Sequence, residues 1–246
     1  MNWMIPEDIK RDWLFDCLKA ATSDELFYKF KQMRTLGYVT ENRHADHVPR
    51  YWSMAMRLYP RCLDLLPALA EADRVGGPWD VDVANIHGHK LSGTTASSVL
   101  VCSQIIRLFG IGPFRIAEIG PGYGNLAHCL KLFGLVTNYT FFDLLEPSML
   151  QRRYIRLMGW DGIWPTLGDY EPDSYDLSLS HSSLSELNDE GKAHYSARVL
   201  QKSIYGFHVW NFKGPTLGMI RCEEVFPNDL PGTWDNCYMH GYANTI

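Results

Sequence analysis

The sequence lacks the features that define several large classes of protein. No apolar run approaches the roughly 20 residues of a membrane-spanning helix, so we expect no contact with a membrane. The first residues, Met1 to Asp8, contain no basic stretch followed by an apolar core, so we expect no signal peptide. The chain has no long basic run, and its formal net charge of −5 opposes binding to a phosphate backbone. We therefore expect no nucleic-acid partner.

The cysteines lack the spacing of a zinc site or of a disulfide scaffold. The chain has 6 of them, widely scattered, and none forms the pattern C-x-x-C. We interpret them as reduced thiols, which indicates a cytoplasmic protein. The H-x-H pattern of His87 and His89 provides too few ligands for a structural metal site. We interpret both histidines as loop residues, with contact to a substrate as the functional alternative.

The composition is that of an ordinary soluble globular protein. The chain has 246 residues, of which 46% are hydrophobic and 21% are charged. These fractions are too apolar for a disordered chain, and the length suits one domain or one core with an appendage. Aromatic residues are plentiful, and the default explanation for them is that they fill a core.

One stretch combines a buried strand, a glycine turn and a helix. Residues 116–119 contain the apolar run of a buried parallel strand, residues 120–124 form a tight turn, and a helical pattern follows. This order places backbone amides against a ligand in a doubly wound sheet, and glycine lets the main chain touch that ligand. The stretch therefore predicts a site for a nucleotide-type cofactor. Its candidate contacts are Glu118, Gly120, Pro121, Gly122, Tyr123 and Gly124.

The spacing of the glycines separates two kinds of cofactor site. A dinucleotide-binding turn has the pattern G-x-G-x-x-G, whereas this turn reads G-x-G-x-G. Asn125 stands where the last glycine of the dinucleotide pattern would be required. An NAD-type oxidoreductase is therefore the disfavoured alternative. A non-catalytic module that binds a nucleotide cofactor stays open as another.

A further cofactor contact is predicted where the second strand ends. Asp143 closes the strand predicted over 139–143, and a carboxylate there can accept hydrogen bonds from ribose hydroxyls. Leu144 follows directly and is included in the site. The second interpretation of Asp143 is a helix N-cap, and the two roles are compatible.

Three more candidates lie near the ends of later strands. Asp169 is placed where its carboxylate can accept the exocyclic amine of an adenine, or it can be a turn residue. Tyr170 is its neighbour and is included with it. Ser180 lies at the end of the strand predicted over 175–181, which we expect to face the glycine turn.

The order of elements predicts a helical beginning followed by an α/β core. Residues 1–91 are expected to form a helical cap, and residues 92–246 a Rossmann-like core that starts with a helix over 94–109. Within the cap, Thr22 and Glu25 have capping-box spacing, and Gly37 is a predicted helix end. The remaining strands are predicted over 162–170, 205–212, 217–222 and 238–243.

Two other segments are polar or charged. Residues 78–90 are polar and are expected to form an irregular link before the core. The helix after Asp143 carries Arg152, Arg153 and Arg156, which we interpret as a solvated face.

The motifs resemble those of class I S-adenosylmethionine-dependent methyltransferases. The series Glu118-x-Gly120-x-Gly122-x-Gly124, then Phe141-Phe-Asp143, then Asp176 to Glu186 occurs in that order. The finer wording is similar to the sugar O-methyltransferase family: Ala-Glu-Ile-Gly-Pro-Gly-Tyr-Gly-Asn-Leu-Ala, then Asp-Leu-Leu-Glu-Pro, then Ser-His-Ser-Ser-Leu-Ser-Glu. The resemblance covers residues 92 to 246, and Asn125 departs from the small residue expected at that position.

The resemblance implies an α/β fold, a mostly parallel seven-stranded sheet flanked by helices. It implies S-adenosylmethionine as the cofactor, S-adenosylhomocysteine as its product, and O-methylation of a sugar or another small hydroxylated acceptor. The helical first part would cap the pocket and select the acceptor. Some sugar methyltransferases use magnesium, but the sequence shows no carboxylate cluster for it. We therefore expect no metal and leave Mg²⁺ open, as we leave open a homo-oligomer.

The candidate catalytic residues follow from where ligands bind in such a sheet. A ligand lies beyond the carboxyl ends of the strands, at the switch in strand order. For the strand order 3-2-1-4-5, in which the strand before the glycine turn is number 1, this brings the turn close to the end of the strand predicted over 175–181, which is number 4. His181 is therefore the candidate general base, and Glu186 can hold its tautomer or bind the acceptor. The alternatives are that His181 only packs against the cofactor and that Glu186 is a helix-start acid; His208, His87 and His89 are rival bases.

Overall fold

The computed structural model describes residues 7–41, 45–160, 166–167, 173–210, 223–224 and 238–243. The first part of the chain is helical, as expected. Its α-helices are α1 (Glu7–Thr22), α2 (Asp24–Phe27), α3 (Arg34–Thr40), α4 (Val48–Leu58) and α5 (Cys62–Asp73), with short 3₁₀ turns at Phe30–Gln32, Ala45–His47 and Asp80–Asp82.

Two predicted helix boundaries are wrong. The N-cap of α2 is Ser23, whose side chain accepts a hydrogen bond from Leu26 N, whereas the Thr22 hydroxyl donates back to Leu18 O. Gly37 lies inside α3 and does not end it. A Cβ at Gly37 would come within 2.5 Å of Lys31 O, so glycine is there for a close main-chain approach.

The segment expected to be an irregular link contains a β-hairpin. Strands β1 (Val83–Ile86) and β2 (His89–Ser92) pair antiparallel through a two-residue turn. His87 and Gly88 in that turn have φ of +48° and +86°, the positive values of the tightest hairpin turns. The prediction failed because His-Gly replaces the usual Asn-Gly signal. His87 is a turn residue, as expected, but His89 lies in a strand.

The main sheet has the predicted Rossmann-like arrangement. In the described part of the chain its seven strands are β3 (Phe114–Ile119), β4 (Val136–Phe142), β5 (Thr166–Leu167), β6 (Tyr175–His181), β7 (Ser203–Trp210), β8 (Glu223–Glu224) and β9 (Tyr238–Ala243). Their order is β5-β4-β3-β6-β7-β9-β8. Strands β3 to β7 run parallel, and β9 runs antiparallel to β7 and β8. The strand predicted over 217–222 lies outside the described residues.

Helices cover both faces of this sheet. They are α6 (Gly93–Phe109), α7 (Asn125–Leu132), α8 (Leu145–Leu157), α9 (Ser183–Glu186) and α10 (Asp189–Arg198). Successive residues of β3 point to opposite faces, so Ile116 joins one buried cluster and Ala117 the other. The cluster around Ile116 also contains Leu36 and Tyr51 of the first helices, so residues from both sides of position 92 share one core. The division into a cap and a core stays a prediction.

A buried carboxylate, Asp73, joins the first helices to the start of the core. Lys31 Nζ donates to its Oδ1 at 2.9 Å and to its main-chain oxygen at 2.7 Å. The hydroxyls of Ser92 and Thr95 donate to the same Oδ1 at 2.8 and 2.7 Å, and Ser92 N donates to Oδ2. These donors come from a 3₁₀ turn, β2 and α6. One charged group therefore fixes the relative positions of four segments.

Arg153 does not belong to a solvated face, contrary to the prediction. Its guanidinium donates to Ala21 O at 3.1 Å and to the Asp24 carboxylate, and it lies 4.2 Å from the ring centroid of Phe27. Arg152 and Arg156 are exposed, as expected. Arg153 thus holds the end of α1 and the start of α2 on α8.

Among the described residues, no helix combines the length and the apolar character needed to cross a membrane.

We predict that Arg153→Ala lowers the free energy of unfolding by about 1 kcal/mol, since it removes a cation–π contact and bonds to a helix end. The exposed neighbour Arg152 provides the control, because Arg152→Ala removes a similar side chain without these contacts. Urea denaturation of both variants measures the difference. Equal losses in the two variants would contradict the role of Arg153.

Candidate functional site

The glycine turn after β3 presents bare main chain at its middle. Gly120, Gly122 and Gly124 all have positive φ, from +61° to +99°. Among the described residues, a Cβ at Gly122 would meet only Thr40 Cγ2, at 3.8 Å, whereas a Cβ at Gly120 would lie 2.1 Å from Ser183 Oγ. Glycine is therefore needed at 120 because another segment approaches, and at 122 the main chain is open to a ligand. Pro121 lies between them, and its oxygen accepts a bond from Gly124 N at 3.1 Å.

The residue after the turn explains the missing third glycine. Asn125 begins α7, and its buried Nδ2 donates to Ser98 Oγ of α6 at 3.1 Å. The preceding Gly124 provides the close packing instead, since a Cβ there would lie 3.3 Å from Ile155 of α8. Asn125 therefore has a hydrogen-bonding role at the position where a dinucleotide-binding turn needs a glycine for close packing.

The Tyr123 side chain, a predicted cofactor contact, lies beneath the turn. Its ring packs between Phe30 and Tyr154, with centroid distances of 4.9 and 5.1 Å. Its hydroxyl donates to Glu41 Oε1 at 2.8 Å. A contact between Tyr123 and a cofactor would therefore come through its main chain.

Asp143 lies beside the turn, and a glutamine holds it there. Asp143 is half-buried; its Oδ1 accepts a bond from Leu144 N at 2.8 Å and its Oδ2 one from Gln151 Nε2 at 2.7 Å. Gln151 Nε2 also donates to Gly122 O at 2.7 Å. Gln151 therefore links the predicted ribose acid to the open part of the glycine turn. Sequence reasoning missed Gln151. Its spacing of three and four residues from Tyr154 and Ile155 places it on the apolar face of the helix, and a polar side chain there was a signal of a buried role.

The environment at this edge of the sheet raises the pKa of two carboxyls, the buried Glu118 and the half-buried Asp143. Glu118 is 1% exposed, and its Oε2 accepts a bond from Tyr139 OH at 2.7 Å. Burial raises the pKa of Glu118 to about 8, while the bond from Tyr139 opposes the change. Burial likewise raises the pKa of Asp143 to about 7, against the bonds from Leu144 and Gln151. Tyr139 was not singled out in the sequence.

The end of β6 approaches the glycine turn, as predicted from the strand order. Ser183 Oγ donates to Gly120 O at 3.0 Å, which joins the two loops directly. Ser182 has φ of +77°, and its N donates to Val209 O at 2.8 Å. Ser180 Oγ accepts a bond from Leu184 N at 2.9 Å, so this hydroxyl holds the turn into α9. The positive φ of Ser182 is rare for a non-glycine residue and costs about 1 kcal/mol or more.

The catalytic candidates occupy this loop. His181 is the last residue of β6 and Glu186 the last of α9, and both are half-buried. The rival His208 is buried within β7, with its Nε2 3.3 Å from Ser178 Oγ. His87 and His89 belong to the hairpin β1–β2. Of these four candidate histidines, His181 is the one that ends a strand at the edge where the glycine turn lies.

Two predicted cofactor contacts and a possible metal site have not yet been placed. Asp169 and Tyr170 lie outside the described residues. Within the ranges that the structure describes, no cluster of three or more His, Cys, Asp or Glu residues could hold a metal ion. The bare main chain at Gly122 and the buried carboxyls of Glu118 and Asp143 fit a ligand that carries positive charge and hydroxyl groups.

Comparison with known proteins finds likeness at the level of structure. No protein-family model matches the chain, and no curated protein matches its sequence. The pyocyanin biosynthetic protein PhzM aligns over 62% of this chain and 56% of its own, with 14% identity and a TM-score of 0.48. Magnesium protoporphyrin IX methyltransferase from Synechocystis, solved with S-adenosylmethionine, aligns over 61% and 78%, with 12% identity and a TM-score of 0.44. A methyltransferase dependent on S-adenosylmethionine from Aquifex aeolicus aligns over 57% and 88%, with 13% identity and a TM-score of 0.43.

We predict that stability falls as pH rises from about 5 to about 8. In the unfolded chain a carboxyl such as Glu118 loses its proton near its ordinary pKa of 4.5, but in the folded chain it keeps the proton until about 8. Between those values the folded state binds more protons, so each such group lowers the free energy of unfolding by up to about 1.4 kcal/mol per pH unit. Urea denaturation at several pH values measures the slope.

The variant Glu118→Gln should flatten this slope, because it removes the titrating group and keeps an acceptor for Tyr139. Glu71→Gln, at an exposed position of α5, is the control and should keep the slope of the wild type. A wild-type slope in Glu118→Gln would show that this carboxyl is already ionised in the folded protein.

Proposed function

We propose that the chain is an S-adenosylmethionine-dependent methyltransferase that transfers a methyl group to a hydroxyl of a small acceptor such as a sugar. The observation that carries this proposal is the open main chain at Gly122, linked through Gln151 to the carboxylate of Asp143. The parallel sheet with a reversed β9 supports it, since the motifs that resemble methyltransferases fall at the expected strand ends. The acceptor class rests on the resemblance of residues 180–186 to sugar O-methyltransferases.

The described residues divide the work of holding the cofactor. The main chain at Gly120, Pro121 and Gly122 would cradle its amino acid part, because Thr40 is the one described residue whose side chain comes within 4 Å of a Cβ at Gly122. Asp143 would accept hydrogen bonds from the ribose hydroxyls, and Gln151 already fixes the position of that carboxylate. Glu118, Leu144, Asp169, Tyr170 and Ser180 stay proposed contacts.

S-adenosylmethionine, when bound, supplies an electrophilic methyl group that a nearby acceptor oxygen can attack in line. The protein then has to place the acceptor and remove its hydroxyl proton. A ring nitrogen of His181 would take that proton, and Glu186 would hold the histidine tautomer or bind an acceptor hydroxyl. The bond from Ser183 to Gly120 O supports this assignment, because it holds the loop of His181 at the glycine turn.

Calorimetry with S-adenosylhomocysteine and NAD tests the cofactor. We expect the wild type to bind S-adenosylhomocysteine and not NAD, since Asn125 occupies the third-glycine position. In Gly122→Ala this affinity should fall by at least about 10-fold, because a methyl group would stand on the open main chain. Gly88→Ala in the hairpin turn is the matched control, since it has a similar positive φ, no atom within 4 Å of its Cβ and no part in the site.

Binding of NAD in place of S-adenosylhomocysteine would favour the oxidoreductase, and binding of neither would reject a cofactor site here. Binding of S-adenosylhomocysteine without transfer to any hydroxylated acceptor would favour the non-catalytic module.

His181→Ala tests the general base. We expect kcat for transfer of labelled methyl groups to a panel of sugars to fall about 10²- to 10⁴-fold, with unchanged affinity for S-adenosylhomocysteine. The exposed His194 on α10 provides the control variant His194→Ala. Normal turnover in His181→Ala would reject the proton-transfer role and leave a packing role.

A further inference from the structure

The end of α3 lies against the open part of the glycine turn. Thr40 is the last residue of α3, and its Cγ2 is the atom that a Cβ at Gly122 would meet. Thr94 Oγ1 of α6 donates to Thr40 O at 3.0 Å and holds this end of the helix in place. The next residue, Glu41, accepts a bond from Tyr123 of the turn. The helical first part of the chain therefore forms one side of the proposed cofactor site.

One oxygen of the Glu41 carboxylate accepts a hydrogen bond, and the other has no donor among the described residues. The residue is 4% exposed, and Oε1 accepts the bond from Tyr123 OH at 2.8 Å. Oε2 is buried and has no hydrogen-bond partner in the part of the chain that the structure describes. The Thr94 hydroxyl lies close enough to Glu41 to lower the pKa of this carboxyl, but its one proton points to Thr40 O at 3.0 Å. A buried carboxylate oxygen without a donor is costly, so its place beside a ligand site indicates a donor that arrives with the ligand.

The charges around Glu41 point to the sign of that donor. Lys31 Nζ faces both Glu41 and Asp73, but its two bonds go to Asp73. Among the described residues, Asp73 and the phenols of Tyr123 and Tyr154 are the other titratable groups that face Glu41, and both phenols are neutral at neutral pH. Burial raises the pKa of Glu41 to about 7, and the charge of Lys31 only partly offsets this. Within the described part of the cluster, one cation thus serves two carboxylates, and a second cation would balance it.

We propose that Oε2 of Glu41 accepts a hydrogen bond from the α-ammonium group of the cofactor. This inference rests on the proposed function, and it assigns the helical first part of the chain a role in binding the cofactor besides selecting the acceptor. The ammonium group is the cationic end of the amino acid part, which the main chain at Gly122 would cradle. Asp143 lies toward the other end of the ligand, where Gln151 fixes it for the ribose. The turn would thus have one carboxylate for each end.

The test compares two ligands on one variant. S-adenosylhomocysteine carries the ammonium group, and its desamino analogue, 4-(5′-adenosylthio)butanoate, lacks only that group. In Glu41→Gln we expect the affinity for S-adenosylhomocysteine to fall about 10- to 100-fold, because a charge-assisted bond is lost, while the affinity for the analogue stays within about 2-fold. Gln keeps an acceptor for Tyr123. In Asp143→Asn, both affinities should fall together.

Two further measurements guard against a purely structural effect. Glu41→Asp keeps the charge but shortens its reach, so it should also lower the affinity for S-adenosylhomocysteine and spare the analogue. The affinity of the wild type for S-adenosylhomocysteine should rise between pH 6 and pH 8, since the carboxyl must lose its proton to bind the ammonium group, and this rise should shrink in Glu41→Gln.

The outcomes separate this inference from the proposed function. If the wild type binds S-adenosylhomocysteine but Glu41→Gln loses affinity for both ligands equally, Glu41 acts on the shape of the site, and the inference is overturned. Unchanged affinity for S-adenosylhomocysteine in Glu41→Gln overturns it as well, and would leave a buried water as the partner of Oε2. If the wild type binds neither ligand, the proposed function fails, and the inference fails with it.

Discussion

The carboxylate of Asp73 is the group on which the arrangement of the site depends. It lies in the core, where an ionised group is tolerated only with a charged partner and several donors, and Lys31, Ser92 and Thr95 provide them. Thr95 also lies within 3.4 Å of the side chain of Asn125, so the same network reaches the first residue after the glycine turn. The contact between the first helices and the glycine turn is therefore built on a satisfied buried ion pair.

Close to this ion pair the protein places three carboxyl groups with a raised pKa. Glu118, Asp143 and Glu41 surround the glycine turn, and burial raises the pKa of each to between about 7 and about 8. Without a cation these groups make the site costly to keep ionised. A ligand with positive charge would relieve that cost on binding. The same low-dielectric environment that lowers stability at high pH would thus favour a sulfonium cofactor with an ammonium group.

The elements that could be predicted are those with a short-range signal. The strand before Gly120, the strand that ends at His181 and the reversed strand β9 all have local patterns, and each was found near its predicted place. The hairpin and the N-cap at Ser23 were missed for local reasons, and the other failures come from contacts between distant segments. Arg153 looked solvated because nothing in its own helix shows that the ends of α1 and α2 meet it. Gln151 has a role only because Gly122 and Asp143 converge on it.

By itself the sequence determined the order of strand, glycine turn and helix, and from the adjacent glycines at 120, 122 and 124 it predicted the kind of site. Only the tertiary structure decided which glycine is open to a ligand and which is closed by Ser183, since that depends on the approach of a segment about 60 residues away. It likewise brought Glu41 to the turn. Main-chain geometry is local and can be read in order, whereas burial, and with it the charge of a carboxyl, is set by residues from all over the chain.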